Sequence, residues 1–228
     1  AVNGILTEQE KKHAMEKKFA VANLQRLITQ CLDEKKVAVL FPGIGYHCDK
    51  PILYFARKLA KQAGFDEVIN LSYTCKADNI RGNDKKMREV GEILYEQAER
   101  QLEQVDWQQY EEVLFISKSI GTAVVAAYAR ERRVQARQVY YTPVEESFEA
   151  IEREGIVFHG TSDPWARTEV IKKACQKRGL PLYLTEKANH SMETGETLAD
   201  IRTIQNIMEK TASYMDKRRD FHVSHSLI

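Results

Sequence analysis

Val113-Leu114-Phe115-Ile116-Ser117-Lys118-Ser119-Ile120-Gly121-Thr122 carries an apolar run into a serine that has small residues two positions to either side. A helix-compatible run, Ala123 to Tyr128, follows at once. The layout predicts a strand-to-helix elbow. Such a turn is so tight that bulky flanking side chains would collide, and it lifts the serine clear of the sheet. Ser119 is therefore the candidate nucleophile, and Ser117 reads as the small flanking residue.

Outward from the elbow, the chain alternates between strand-like and helix-like segments. The apolar runs are Val37 to Phe41, Val68 to Leu71, Val113 to Ile116, Gln138 to Tyr141, Ile156 to Phe158 and Leu180 to Leu184. Each is continuous rather than alternating, as expected for strands covered on both faces. Helices are predicted over 52–62, 85–104, 120–130, 145–153, 167–177 and 197–217. An amphipathic helix is expected over 7–33, where Leu24, Leu27, Ile28 and Cys31 share a face. Regular alternation predicts an α/β fold with a doubly wound, mostly parallel six-stranded sheet and helices on both faces. No linker or repeat interrupts the pattern. One domain over 1–228 is expected, with 1–36 as a helical extension packed on the core.

Composition excludes several partners. The 228 residues are 43% hydrophobic, enough for a large core, and 34 basic residues against 33 acidic leave a net charge of +1. That balance offers no polyanion-binding signature, so no nucleic-acid partner is expected. No apolar stretch approaches the roughly 20 residues that cross a bilayer, and no membrane role is expected. Cys31, Cys48, Cys75 and Cys175 are widely spaced, which fits free thiols in a reducing compartment. Ala1 to Lys18 is charged and lacks the apolar core of a signal peptide. A cytoplasmic location is the expectation.

Ser119, Asp163 and His190 each follow a predicted strand, where parallel sheets place their sites. The residue types suit one chemistry. A neutral serine hydroxyl is a poor nucleophile until an imidazole in hydrogen-bond reach takes its proton. A carboxylate holds that imidazole in the right tautomer and stabilises its cation. The tetrahedral intermediate needs N–H donors aimed at its oxyanion. One is expected from Ile120, the residue after the nucleophile. The other is expected from Pro42-Gly43-Ile44-Gly45-Tyr46, the loop after the first strand.

The segment from about Val37 onward resembles a small α/β-hydrolase. The resemblance rests on the small-x-Ser-x-Gly elbow, the acid loop His159-Gly160-Thr161-Ser162-Asp163-Pro164, and a histidine loop before the last helix. It implies the triad Ser119, Asp163 and His190, and assigns the second oxyanion donor to Ile44, with Gly45 and Tyr46 as neighbours. It implies that the first two strands swap places in the sheet. Two departures stand out: a helix replaces the usual opening antiparallel strands, and only residues 142–155 occupy the usual place of a cap domain. A lidless, open site follows, one suited to small esters or thioesters and not to an oil surface. No metal or organic cofactor is implied.

Other residues have competing readings. Asp163 could cap a helix after Pro164, and Asp200 is an alternative acid. His159 reads as support for the acid loop. Tyr46, His47, Tyr73 and Trp165 are candidate substrate contacts. Consecutive residues such as His47, Cys48 and Asp49 rarely converge on one metal ion, and His222 with His225 lacks a third ligand. No elbow surrounds Cys48, which argues against a thiol nucleophile. Gly43-Ile44-Gly45 lacks the third glycine of a dinucleotide fingerprint. The alternatives to an esterase or thioesterase are a peptidase or acyltransferase using the same triad, or a non-catalytic binding protein. The oligomeric state is left open.

Overall fold

The computed structural model describes residues 8–33, 35–75, 80–152 and 154–216. The chain divides into two compact units between Lys35 and Lys36. Among the described residues, the first holds one helix, α1 (Glu8–Asp33). His222 and His225 lie outside the described residues.

The second unit runs β1 (Lys36–Phe41), α2 (Pro51–Gln62), β2 (Glu67–Asn70), α3 (Asp84–Leu102), β3 (Glu112–Lys118), α4 (Gly121–Glu131), β4 (Arg137–Tyr141), β5 (Ile156–Gly160), α5 (Thr168–Arg178), β6 (Leu182–Thr185) and α6 (Thr197–Asp216). The six strands form one sheet in the order β2-β1-β3-β4-β5-β6. Every pairing is parallel. The swap of the first two strands opens a switch point between β1 and β3, with the Gly43 loop on one side and the elbow on the other.

Strand alternation divides the sheet between two cores. Val37 pairs with Val113 and Val39 with Phe115. These four and Phe41 pack with Leu94, Val124 and Ile171 of α3, α4 and α5. Their strand neighbours Ala38, Leu40, Leu114 and Ile116 face the opposite way, onto Ile52 and Leu53 of α2 and Ile207 and Met208 of α6. Both faces are thus apolar, which is why the strand sequences show no polar alternation.

Most boundaries shift by one or two residues from the sequence expectation, and three differences matter for the site. β3 extends through Lys118, so Ser119 is the first residue beyond the strand. The last strand starts at Leu182, because Gly179 ends α5 in the left-handed region (φ 69°) and Leu180 is then buried in the core. The helix expected over 145–153 shrinks to a 3-10 turn, Glu145–Glu149. Val144, just before that turn, and Phe148, within it, are buried. Arg178 donates to the carbonyls of Phe148 and Ile151, Arg130 to that of Glu149, and Arg167 pairs with Glu145.

At Gly121 the elbow helix meets the chain leaving β1. A Cβ there would lie 2.3 Å from the Phe41 carbonyl oxygen and 2.4 Å from that of Pro42. Both are backbone atoms that cannot swing aside. Gly121→Ala is expected to destabilise the fold by about 3 kcal/mol or more. Urea unfolding measures this, and an unchanged midpoint would refute the crowding.

Candidate active site

Ser119 takes a left-handed backbone conformation (φ 57°), which a residue with a side chain adopts only under constraint. The constraints are visible. Its N–H donates to the Tyr141 carbonyl at 3.0 Å, and its own carbonyl accepts from the Thr122 N–H at 2.9 Å. The Thr122 hydroxyl donates to that carbonyl at 2.6 Å and meets the Ser147 hydroxyl at 2.6 Å. Ser117 is fully buried, and its hydroxyl donates to the Val139 carbonyl at 3.1 Å.

The fold brings the three separated residues together. His190 Nε2 stands 2.7 Å from Ser119 Oγ, and His190 Nδ1 stands 2.7 Å from Asp163 Oδ2. A carboxylate can only accept, so Nδ1 carries the proton and Nε2 presents its lone pair to the serine. The second Asp163 oxygen accepts from the Trp165 N–H at 2.8 Å, closing a turn. α5 starts later, after Arg167, so Asp163 does not cap it. The acid and histidine loops are stitched together by Ser162 N–H to Ala188 O at 2.9 Å and Thr161 N–H to Thr185 O at 3.0 Å. Burial pulls the His190 imidazole below its ordinary pKa. The bond to Asp163 works against this, and the charge of Lys118 adds to the lowering.

The loop after β1 lies against Ser119. A Cβ on Gly43 would sit 2.9 Å from Ser119 Cβ and 3.5 Å from its Oγ. Gly43 and Tyr46 bond each other's N–H and carbonyl groups at 3.2 and 3.3 Å. Among the described residues, no acceptor takes the N–H of Ile44, Gly45 or Ile120. Two N–H donors named from sequence, Ile44 and Ile120, are thus unspent near Ser119.

No protein-family model matches the sequence, and no curated protein does. Solved structures do match. An alpha-beta serine hydrolase homologue from Coxiella burnetii superposes with a TM-score of 0.55 at 16% identity, covering 78% of this chain and 84% of its own. An esterase from Pyrococcus furiosus gives 0.53 at 12%, over 80% and 83%. A serine hydrolase without a lid from Xanthomonas campestris gives 0.50 at 10%, over 78% and 80%. The chain has the α/β-hydrolase fold.

Around the elbow of this α/β-hydrolase fold, the other candidates take different places. Trp165 is 36% exposed, and its ring lies 5.5 Å from that of His190. It borders a cleft of about 800 Å³ that also contacts Ile80, Met87, Arg88 and Glu146. The Tyr46 hydroxyl accepts from the Ile52 N–H at 3.2 Å, which turns the ring inward. Tyr73 packs against the core with its hydroxyl buried and without a partner among the described residues. His47 is exposed, and its ring caps the Asp49 N–H at 3.3 Å. Cys48 is buried, with its Sγ on the Leu71 carbonyl, and burial raises its pKa to about 11. Asp200 accepts from the N–H and hydroxyl of Thr194 and makes no bond to Ser119, His190 or Asp163. His159 is buried behind Asp163, its Nδ1 3.8 Å from the same oxygen that faces His190. Its Nε2 meets the Thr168 hydroxyl at 3.1 Å, which leaves Nδ1 unpartnered.

Two side chains at the site were not singled out from sequence. Lys118, between the two serines, is fully buried, and Thr142, just beyond β4, is buried with it. Strand alternation held the signal: 118 shares a face with 114 and 116, the face turned to the second core.

Proposed function

We propose that this chain is a serine hydrolase that cleaves a carboxylic ester or thioester through an acyl-enzyme. The observation that carries this reading is the continuous bond path from Ser119 Oγ through His190 to Asp163, with both links at 2.7 Å. In the proposed first step, Ser119 Oγ attacks the acyl carbon while its proton passes to His190 Nε2. Asp163 holds Nδ1 and offsets the imidazolium charge. The oxyanion is received by the N–H groups of Ile120 and Ile44, which have no other partner among the described residues. The intermediate collapses, and His190 returns its proton to the leaving alcohol or thiol. Water then attacks the acyl-enzyme by the reverse proton path, releasing the acid and restoring Ser119.

Small substrates fit the surroundings. The turn at 145–149 is the only helical element described between β4 and β5, so no cap domain lies over the site there. The esterase among the structural neighbours points the same way. The cleft beside Trp165, with apolar and charged side chains together, suits a small acyl or alcohol group. Trp165 is proposed to flank it.

A fluorophosphonate probe tests the reading directly. It is expected to label Ser119 in the native protein, and absence of labelling would argue for a binding protein instead. The kcat/KM for p-nitrophenyl acetate should also fall in acid as His190 gains a proton. Because burial lowers that group, the inflection is expected below the ordinary imidazole value of about 6.5. An inflection above it, or a profile with no acid limb at all, would remove His190 as the base.

A further inference from the structure

Lys118 is among the largest fully buried side chains of the protein. A lysine is the costliest kind of residue to place there unless its ammonium finds partners. Three segments supply them. Nζ donates to the Thr142 hydroxyl at 2.5 Å and to the His190 carbonyl at 2.6 Å, and stands 4.7 Å from the centre of the Tyr46 ring. The end of β3, the end of β4, the histidine loop and the loop after β1 thus meet at one atom. We propose that Lys118 is a positioning residue for the reaction, clamping the backbone of His190 onto the elbow and, once protonated in acid, adding a positive charge that bears on the base. This rests on the reading of Ser119, His190 and Asp163 as the reacting groups.

Stability alone does not call for this lysine. The His190 carbonyl already accepts from the Thr142 hydroxyl at 3.1 Å, so it would keep a donor without Nζ. Burial has driven the ammonium down to about 7, a sign that its charge is strained in place. Buried charges are often replaced by apolar residues at no loss, or with a gain in stability. What an apolar residue cannot do is hold the histidine loop by two bonds and set a field at the imidazole. The charged groups bearing on Lys118 are Asp163 and Glu193, which favour its cation. His190 is itself influenced by Asp163, Lys118 and His159. Of these, Lys118 and then His159 oppose a second positive charge on the base, so the protonated Lys118 keeps His190 deprotonated further into acid.

Lys118→Met tests the proposal with p-nitrophenyl acetate. The plateau kcat/KM is expected to fall roughly 10- to 100-fold, as for a small misplacement of a reacting group. The acid limb is expected to move up toward the ordinary imidazole value. The ratio of kcat/KM at pH 5.5 to that at pH 8 then drops by about threefold or more. The melting temperature is expected to stay level or rise, opposite in sign to the activity. Lys118→Gln is the second variant: it keeps an N–H donor but no charge, and should move the acid limb the same way. A plateau within about twofold of wild type for Lys118→Met, or an unmoved limb in either variant, overturns the proposal. If the wild-type protein is not labelled by the fluorophosphonate, the triad reading itself has failed. If it is labelled and the variants behave as wild type, only the role of Lys118 falls.

Discussion

Ser119→Ala is expected to lower kcat for p-nitrophenyl acetate by a factor on the order of 10⁶. The size follows from how the proposed groups act together. Without Oγ, His190 has no proton to accept and Asp163 orients a base with nothing to do. What survives is whatever the N–H donors and the cleft supply to attack by water. The substitution should leave the fold intact. Alanine meets the same left-handed backbone that serine already occupies at φ 57°, and the bonds that pin the elbow run through backbone atoms and Thr122. The variant should therefore unfold at nearly the wild-type denaturant concentration while losing probe labelling and turnover together. Wild-type-like hydrolysis by this folded protein would refute Ser119 as the nucleophile.

Asp163→Asn should cost about 10⁴ in kcat with the site still assembled. The carboxylate accepts at both oxygens, from His190 Nδ1 at 2.7 Å and from the Trp165 N–H at 2.8 Å. An amide that keeps its oxygen on the Trp165 N–H turns its NH2 toward Nδ1. That nitrogen must then accept, so the imidazole proton moves to Nε2. Ser119 Oγ then faces an N–H instead of a lone pair, and proton removal stops. Steady-state kinetics measure the loss, and nitrogen chemical shifts of His190 should report the exchanged tautomer. Activity within about tenfold of wild type would mean that the acid lies elsewhere.

Much of this architecture is legible in the sequence, for a physical reason. Strands buried on both faces leave continuous apolar runs, and the six runs read as strands fell in the six strands of the sheet. The elbow is legible because its geometry tolerates few residue types, as the 2.3 Å approach at Gly121 makes plain. The acid and histidine loops could be named because each follows a strand and carries the residue the chemistry needs. Lys118 and Thr142 stayed hidden because their meaning comes from packing between distant segments. A lysine at the mouth of a turn reads as solvated, although positions 114, 116 and 118 lie on one strand face. The turn at 145–149 was also misjudged in length. Its helix-like sequence yields to Val144 and Phe148, whose burial fixes the chain before a full helix can form.

That short connection between β4 and β5 also bears on how such a protein can diversify. Three arginines from three other places, Arg130, Arg167 and Arg178, hold it from outside, while Val144 and Phe148 anchor it from within. An inserted subdomain would have to break those anchors before it contributed anything. New selectivity is more accessible by single replacements at the edge of the cleft, as at Trp165, than by acquiring an extra module at this point of the chain.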